Sequence, residues 1–249
     1  MDTMQYLTQP DIKDNFVVTL NKMGYMFIKP EKYMQAFIDY AAQTHDPVLD
    51  IGAAYGIATI PALEKGAYVV ANDMDQRHLD ILKSKVPSAL QNHLELKVGA
   101  MPHDINFPEH YFGVILASRI LNFVDPKVLK LCFSLIYKWL KPGCRFVYLG
   151  ATPYMGTFRH FLPQYLKNKQ EGCEWPGLLE DIMAHAPADK AQNLPEFINL
   201  IDKDLLNVLL TESGFVIETM DYIPAEKEHP EDMKLDGREH LGAIAIKPE

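Results

Sequence analysis

Short apolar runs alternate with longer amphipathic segments through the middle of the chain, between residues 48 and 150. Apolar runs of this kind are typical of strands that are buried on both faces of a parallel sheet. The pattern predicts strands at 48–51, 67–72, 94–98, 112–117 and 144–150 with helices at 56–65, 75–85 and 126–140 between them. We therefore expect an α/β fold with a doubly wound, mostly parallel sheet.

The regions on either side of this core depart from its rhythm. Helical spacing predicts an N-terminal helical segment within residues 1–46, with helices over 11–23 and 30–44. Residues 152–200 are rich in aromatic residues and interrupted by prolines, which favours short helices that form a cap inserted after the fifth strand.

The last part of the sequence returns to regular structure. It predicts a helix at 203–213 and strands at 215–223 and 241–246, and the charged stretch 224–240 is typical of a solvated loop. With 249 residues, the chain fits a single α/β domain that includes the N-terminal segment and the cap.

Composition narrows the class of protein. The net charge of −9 disfavours nucleic acid as the main partner, because a phosphate backbone calls for a basic face. Cys132, Cys144 and Cys173 show no CxxC spacing, so neither a disulfide framework nor a zinc site is indicated and we expect no metal. No apolar run reaches the roughly 20 residues that span a bilayer, and residues 1–10 lack the apolar core of a signal peptide. These features predict a cytoplasmic protein without membrane contact.

The segment 48–56 carries the clearest chemical signal. An apolar pair leads into Asp50, and Gly52 and Gly56 follow before a helix-forming stretch. A strand that enters a glycine-rich turn and then a helix is the place where α/β sheets bind nucleotide-like ligands. The acid ahead of the first glycine, and the absence of a GxGxxG pattern, disfavour a nicotinamide dehydrogenase.

Four segments, in order and spacing, resemble the class I S-adenosylmethionine-dependent methyltransferases, in particular the small-molecule enzymes. They are the glycine-rich 50–56, the acid-containing 72–75, the approach to the fourth strand at 107–113 and the turn at 140–146. The resemblance covers about 45–150 well. It implies a Rossmann-like sheet of seven strands and S-adenosylmethionine as the cofactor.

The resemblance also implies which residues hold this cofactor. The glycine-rich turn lies against the methionine part of the cofactor. The carboxylate of Asp73 accepts hydrogen bonds from the ribose hydroxyls, and Met74 lies against the adenine. The implied set is Asp50, Gly52, Ala53, Gly56, Asp73, Met74, Ala100, Met101 and Ser118. The chain departs from the family pattern at Ala100, where relatives often carry an acid that bonds the adenine amine, and Asp104 is a candidate substitute.

Candidate acceptor-binding and catalytic residues follow the fourth strand and lie in the cap. Arg119 either anchors a substrate carboxylate or phosphate, or pairs with a local acid such as Asp125. Tyr154 and Phe158 either wall an acceptor pocket or form the core of the cap. Methyl transfer by in-line displacement needs a general base only when the acceptor loses a proton, and His160 is the candidate, with His185 and His103 as alternatives.

The sequence therefore predicts methyl transfer to a small-molecule acceptor. Three alternatives stay open: an aminopropyl transferase on the same sheet, a degenerate fold that binds cofactor or acts through its surface, and a protein acceptor. An aminopropyl transferase calls for a cluster of acids in the acceptor pocket, which residues 117–125 barely supply.

Overall fold

The computed structural model describes residues 12–13 and 16–249, so the parts of the predicted N-terminal segment at 1–11 and 14–15 lie outside the described residues. The described chain opens with a small antiparallel sheet of β1 (Ile12–Lys13), β2 (Phe16–Val18) and β3 (Tyr25–Phe27). The predicted helix over 11–23 is therefore wrong. Phe16 and Val17 point to opposite faces of β2 and both are buried, which a strand between two apolar surfaces allows. The second predicted helix is present as α1 (Lys32–Ala41).

The predicted strand–helix alternation follows. Its elements are β4 (Val48–Ile51), α2 (Thr59–Glu64), β5 (Val69–Asp73), α3 (Gln76–Lys85), β6 (Leu94–Val98), β7 (Phe112–Ser118), α4 (Pro126–Trp139) and β8 (Leu140–Ala151). Asp75 and Asp125 accept backbone N–H groups at the starts of α3 and α4, which satisfies donors that a helix leaves free.

Short elements make up the region predicted as a helical cap. They are α5 (Leu162–Gln170), β9 (Leu178–Leu179), α6 (Ile182–His185), α7 (Ala188–Ala191) and β10 (Ile198–Asn199). β9 and β10, on either side of α6 and α7, pair as antiparallel strands, and the sequence did not predict this pairing. Phe158 and Tyr165 of this region share one apolar cluster with Phe16 and Phe27, so the cap and the N-terminal strands pack together.

The chain ends with α8 (Lys203–Glu212), β11 (Val216–Ile223) and β12 (His240–Ile246). The stretch before β12 is not the freely solvated loop that its charge predicted. Glu239 is buried, and its carboxylate accepts backbone N–H groups from Ala225, Leu235, Asp236 and Gly237. This single side chain therefore joins the two ends of the loop.

The central sheet has seven strands in the order β6-β5-β4-β7-β8-β12-β11. Strands β4 to β8 are mutually parallel, and β12 is antiparallel to both of its neighbours. The doubly wound, mostly parallel fold is thus confirmed. The chain leaves β4 towards β5 and β6 and returns on the other side through β7, and this reversal opens a crevice between β4 and β7 where such sheets bind ligands. Among the described residues, no helix is long and apolar enough to cross a membrane.

Candidate active site

A cavity of about 560 Å³ lies at the carboxyl edge of the parallel strands. The ends of five adjacent strands line it in sheet order, through Asp73, Gly52, Ser118, Ala151 and His240. Its volume falls in the range of sites for small organic ligands. We call the part lined by residues 50–54, 72–74 and 99–103 the loop half. The part beneath β2, β3 and the cap, lined among others by Phe16, Phe27, Phe158 and His240, is the cap half.

The glycine-rich turn is shaped for close approach in the loop half. Gly52 has φ +73°, and a Cβ built on it would lie 1.9 Å from Cγ2 of Ile120, so no side chain fits there. Gly56, also predicted to contact the cofactor, does not line the cavity. A Cβ at Gly56 would lie 2.9 Å from Cγ of Leu82, which means that Gly56 lets α3 pack beneath the turn.

Asp73 ends β5 with its carboxylate buried at the edge of the cavity. Its Oδ2 accepts the N–H of Ala54 at 3.0 Å, and its Oδ1 accepts the N–H of Asp75 at 2.9 Å and lies 3.0 Å from Nδ1 of His78. These contacts hold the carboxylate in one orientation while it faces the cavity. Met74, the next residue, is half-exposed and also lines the loop half.

Asp50 is a second carboxylate on the loop half, fully buried at the end of β4. Burial raises its pKa to about 6, the negative charge of Asp73 adds to the rise, and the 2.7 Å hydrogen bond from the Thr59 hydroxyl partly opposes it. A buried acid next to a cavity is stabilised in its charged form by a cationic ligand. The ammonium of an amino acid meets that requirement.

The loop after β6 forms the side of the loop half. Ala100 and Met101 line the cavity, and the amide of Asn72 fixes this loop by donating to the carbonyls of Lys97 and Gly99. Asp104 does not line the cavity, because its carboxylate accepts the N–H of Ala100 at 3.2 Å and closes the turn. It is therefore not a substitute for the acid that relatives carry at position 100.

Arg119 lies between the two halves, with φ +62°. Its guanidinium forms a two-point ion pair with Glu31 and stacks 4.1 Å from the ring centroid of Phe27. Asp125, the alternative partner considered from the sequence, accepts the N–H of Lys127 at the start of α4. Of the two interpretations of Arg119 drawn from the sequence, the structure shows the pairing with an acid, and that acid is Glu31, not Asp125.

Of the three residues of the cap predicted to bind the acceptor or act as the base, one lines the cavity and two do not. Phe158 is buried and lines the cap half. Tyr154 faces away, because its ring packs edge-on to Tyr165 and under the guanidinium of Arg238. His160, predicted as the general base, is exposed and lies outside the cavity, since the turn at 156–158 directs Phe158 inward and leaves the next two residues on the outer side. His185 also lies outside, and His103 lines the loop half.

His240 is the residue that sequence reasoning missed. It opens β12 beside the end of β8, in register with Ala151, and it is fully buried while lining the cap half. Neither ring nitrogen has a hydrogen-bond partner among the described residues. No motif surrounds it, and the one available signal was its position as the first residue of an apolar strand at this edge of the sheet.

A family model described as a methyltransferase domain matches residues 48–143. This match spans β4 to the start of β8 and therefore includes every loop that forms the loop half. Residues 48–143 therefore form a methyltransferase domain, and they are similar to the S-adenosylmethionine-dependent enzymes of class I. The enzyme's buried acids and glycine-rich turn fit this cofactor, because they offer a partner for its ammonium, acceptors for its ribose hydroxyls and room against the backbone.

Solved structures share the fold of the enzyme. An S-adenosylmethionine-dependent methyltransferase from Methanosarcina mazei has a TM-score of 0.66 at 18% identity, over 88% of this chain and 99% of that chain. A Burkholderia thailandensis 1,6-didemethyltoxoflavin N1-methyltransferase has a TM-score of 0.58 at 16% identity, over 88% and 80%. A glycopeptide N-methyltransferase in complex with S-adenosylmethionine has a TM-score of 0.57 at 17% identity, over 87% and 86%. No curated protein sequence matches the chain.

Proposed function

We propose that the enzyme methylates a small-molecule acceptor that binds in the cap half while the cofactor fills the loop half. The observation that carries this proposal is the continuous cavity under β2, β3 and the cap. A covered site of about 560 Å³ suits two small ligands side by side better than the side chain of a folded protein. The proposal treats residues 1–249 as one domain, since the N-terminal strands and the cap at 152–200 share an apolar cluster above the sheet.

In this proposal the loop half holds the cofactor through acids and backbone. Asp73 accepts the ribose hydroxyls, and Asp50 balances the ammonium of the methionine part. The backbone of Gly52 and Ala53 lies along that part, while Met74, Ala100 and Met101 flank the adenine. Ser118 lies at the end of β7, which neighbours β4 in the sheet, on the side towards the cap half. Bound S-adenosylmethionine supplies an activated methyl group for in-line displacement, so the protein has chiefly to align the acceptor and exclude water.

The N-terminal strands exclude water from both halves. Phe16 and Phe27 pack against the cap, and the N–H of Leu20 donates to the hydroxyl of Tyr55 at 3.0 Å. Tyr55 belongs to the glycine-rich turn, so one short sheet contacts the cofactor turn and the cap at once. This arrangement supports a lid over the whole reaction site.

The test uses cofactor labelled in its methyl group. The enzyme is incubated with labelled S-adenosylmethionine and a cell extract that has been divided into ultrafiltrate and protein. We expect the label to pass into the ultrafiltrate, and an Asp73→Asn variant to transfer far less. Transfer of label into protein instead would overturn the small-molecule proposal. Calorimetry with S-adenosylhomocysteine and with NAD checks the cofactor assignment, and binding of NAD alone would contradict it.

A further inference from the structure

We propose that the cap half selects a flat, apolar, uncharged molecule with a hydroxyl group, and that this hydroxyl forms a hydrogen bond with the imidazole of His240. The inference rests on the proposed function and names the acceptor class of the same cavity. It makes His240 a residue that binds and orients the acceptor.

The walls of the cap half set the apolar character of the ligand. Six aromatic or thioether side chains line it: Phe16, Tyr25, Phe27, Met155, Phe158 and Met233. Rings and flexible methionine side chains pack well against planar apolar ligands. Such walls offer few partners to a ligand with many polar groups, so the ligand's polar atoms must converge on the few polar side chains present.

The charges that line the cavity disfavour an anionic ligand. Among the described residues, its two Lys or Arg side chains are Arg119 and Lys190. Arg119 is paired with Glu31 at 2.6 Å, and Lys190 lies 3.9 Å from Asp232. A carboxylate or phosphate in the cap half would therefore lose its hydration and meet only cations that already lie beside an acid.

His240 supplies the polar partner. Its ring packs edge-on to Phe27 and His229, with centroids 5.9 and 6.1 Å apart. Burial lowers its pKa well below the usual value, and the charge of Arg119 and the neighbouring His229 act in the same direction. The neutral ring has one nitrogen that donates and one that accepts, so it can pair with a hydroxyl in either sense.

The unpaired state of His240 gives the ligand its binding advantage. A buried polar group without a partner has lost its hydration and gained no hydrogen bond in return, which is unfavourable. A hydroxyl that reaches the ring removes that cost, whereas a purely apolar ligand leaves it in place. The ring therefore discriminates for a hydrogen-bonding group at one end of an otherwise apolar molecule.

The experiment uses 2-naphthol and 2-naphthoate as probes of equal ring size. Each is titrated into the complex with S-adenosylhomocysteine, by calorimetry and by the ¹⁵N shifts of the histidine side chains. We expect 2-naphthol to bind about tenfold more tightly than 2-naphthoate and to shift the His240 ring nitrogens. Equal binding, tighter binding of 2-naphthoate, or no binding of 2-naphthol would overturn the proposal.

Two variants and a control assign the effect to His240. His240→Phe should weaken 2-naphthol binding about fivefold to tenfold and leave 2-naphthoate unchanged. His240→Gln, which keeps a hydrogen-bonding amide, should retain part of the affinity and serves if the Phe variant does not fold. His229→Phe removes a buried histidine outside the cavity and should leave the preference for 2-naphthol intact. If His240→Phe and His229→Phe behaved alike, the role of His240 would be refuted.

A failure of the proposed function would be seen separately. It would appear as an absence of S-adenosylhomocysteine binding by the wild-type protein, which the same calorimetry measures before any probe is added. The naphthol titration of the ligand-free protein would still test His240.

Discussion

Glu31 and Arg119 form a two-point ion pair between residues 88 positions apart in sequence, with 2.6 Å from Oε2 to Nη1 and 2.9 Å from Oε1 to Nη2. Glu31 immediately precedes α1, and Arg119 follows β7 at the carboxyl edge of the sheet. Both side chains are largely buried, and the guanidinium also stacks on Phe27 of the N-terminal sheet. This pair therefore connects α1, the central sheet and the cover of the cavity.

Glu31→Gln should destabilise the protein by about 2–4 kcal/mol, because it leaves the buried charge of Arg119 without a counter-charge. Urea unfolding measures the change in the free energy of unfolding. Asp39→Asn is the matched control, since it breaks the exposed pair with Lys65, and such pairs contribute little. Similar effects of the two variants would show that the buried pair is not special.

Gly52→Ala should abolish binding of S-adenosylhomocysteine and destabilise the fold. Its Cβ would collide with Ile120 at 1.9 Å, and the backbone has φ +73°. Gly66→Ala is the control: Gly66 has φ +90°, and a Cβ built there has no neighbouring atom of the described residues within 4 Å, so this variant carries the backbone strain without the collision. We expect Gly52→Ala to cost at least about 2 kcal/mol more than Gly66→Ala. Calorimetry and urea unfolding read the two effects, and adding Ile120→Ala should restore part of the stability.

Asp73→Asn should weaken S-adenosylhomocysteine binding about tenfold or more, because the hydrogen bonds to ribose lose their charge assistance. The amide keeps the shape of the side chain and an oxygen for the N–H of Ala54. Asp80→Asn, on the exposed face of α3, is the control and should bind as the wild type does. Undiminished affinity in Asp73→Asn would remove the ribose assignment.

Asp50→Asn should stabilise the ligand-free protein at pH 8 by about 2–3 kcal/mol and have little effect near pH 4. In the folded protein the pKa of Asp50 is raised from 3.8 to about 6, chiefly by burial. Between these values the folded state binds more protons than the unfolded state, so the contribution of Asp50 becomes less favourable as pH rises through this window. Above pH 6 the cost is complete. The amide does not titrate and can still accept from Thr59.

Urea unfolding of the wild type and Asp50→Asn from pH 4 to 8 measures this difference. The same pair of proteins tests the ammonium contact, because S-adenosylhomocysteine should bind the wild type more tightly as pH rises through about 6 and bind the variant independently of this titration. A constant stability difference at every pH would contradict the raised pKa.

The sequence predicted the central fold well, and the regions over the site poorly. The apolar runs from 48 to 150 gave the parallel strands because a strand buried on both faces must be apolar throughout. Residues 11–23 misled the same reasoning, since Phe16 and Val17 are buried on opposite faces by elements distant in sequence. A short strand that is buried on both faces lacks the alternation of polar and apolar residues that distinguishes a strand from a helix.

The site divides in the same way. The positions of Asp50, Gly52 and Asp73 follow from local chain geometry, because each lies at a strand end where the turn chemistry is written in neighbouring residues. The tertiary structure alone decided that Arg119 is neutralised by Glu31, that His160 faces outward and that His240 lines the cavity. Charge balance and burial depend on which segments, distant in sequence, come into contact in the fold. Local sequence patterns do not indicate those contacts.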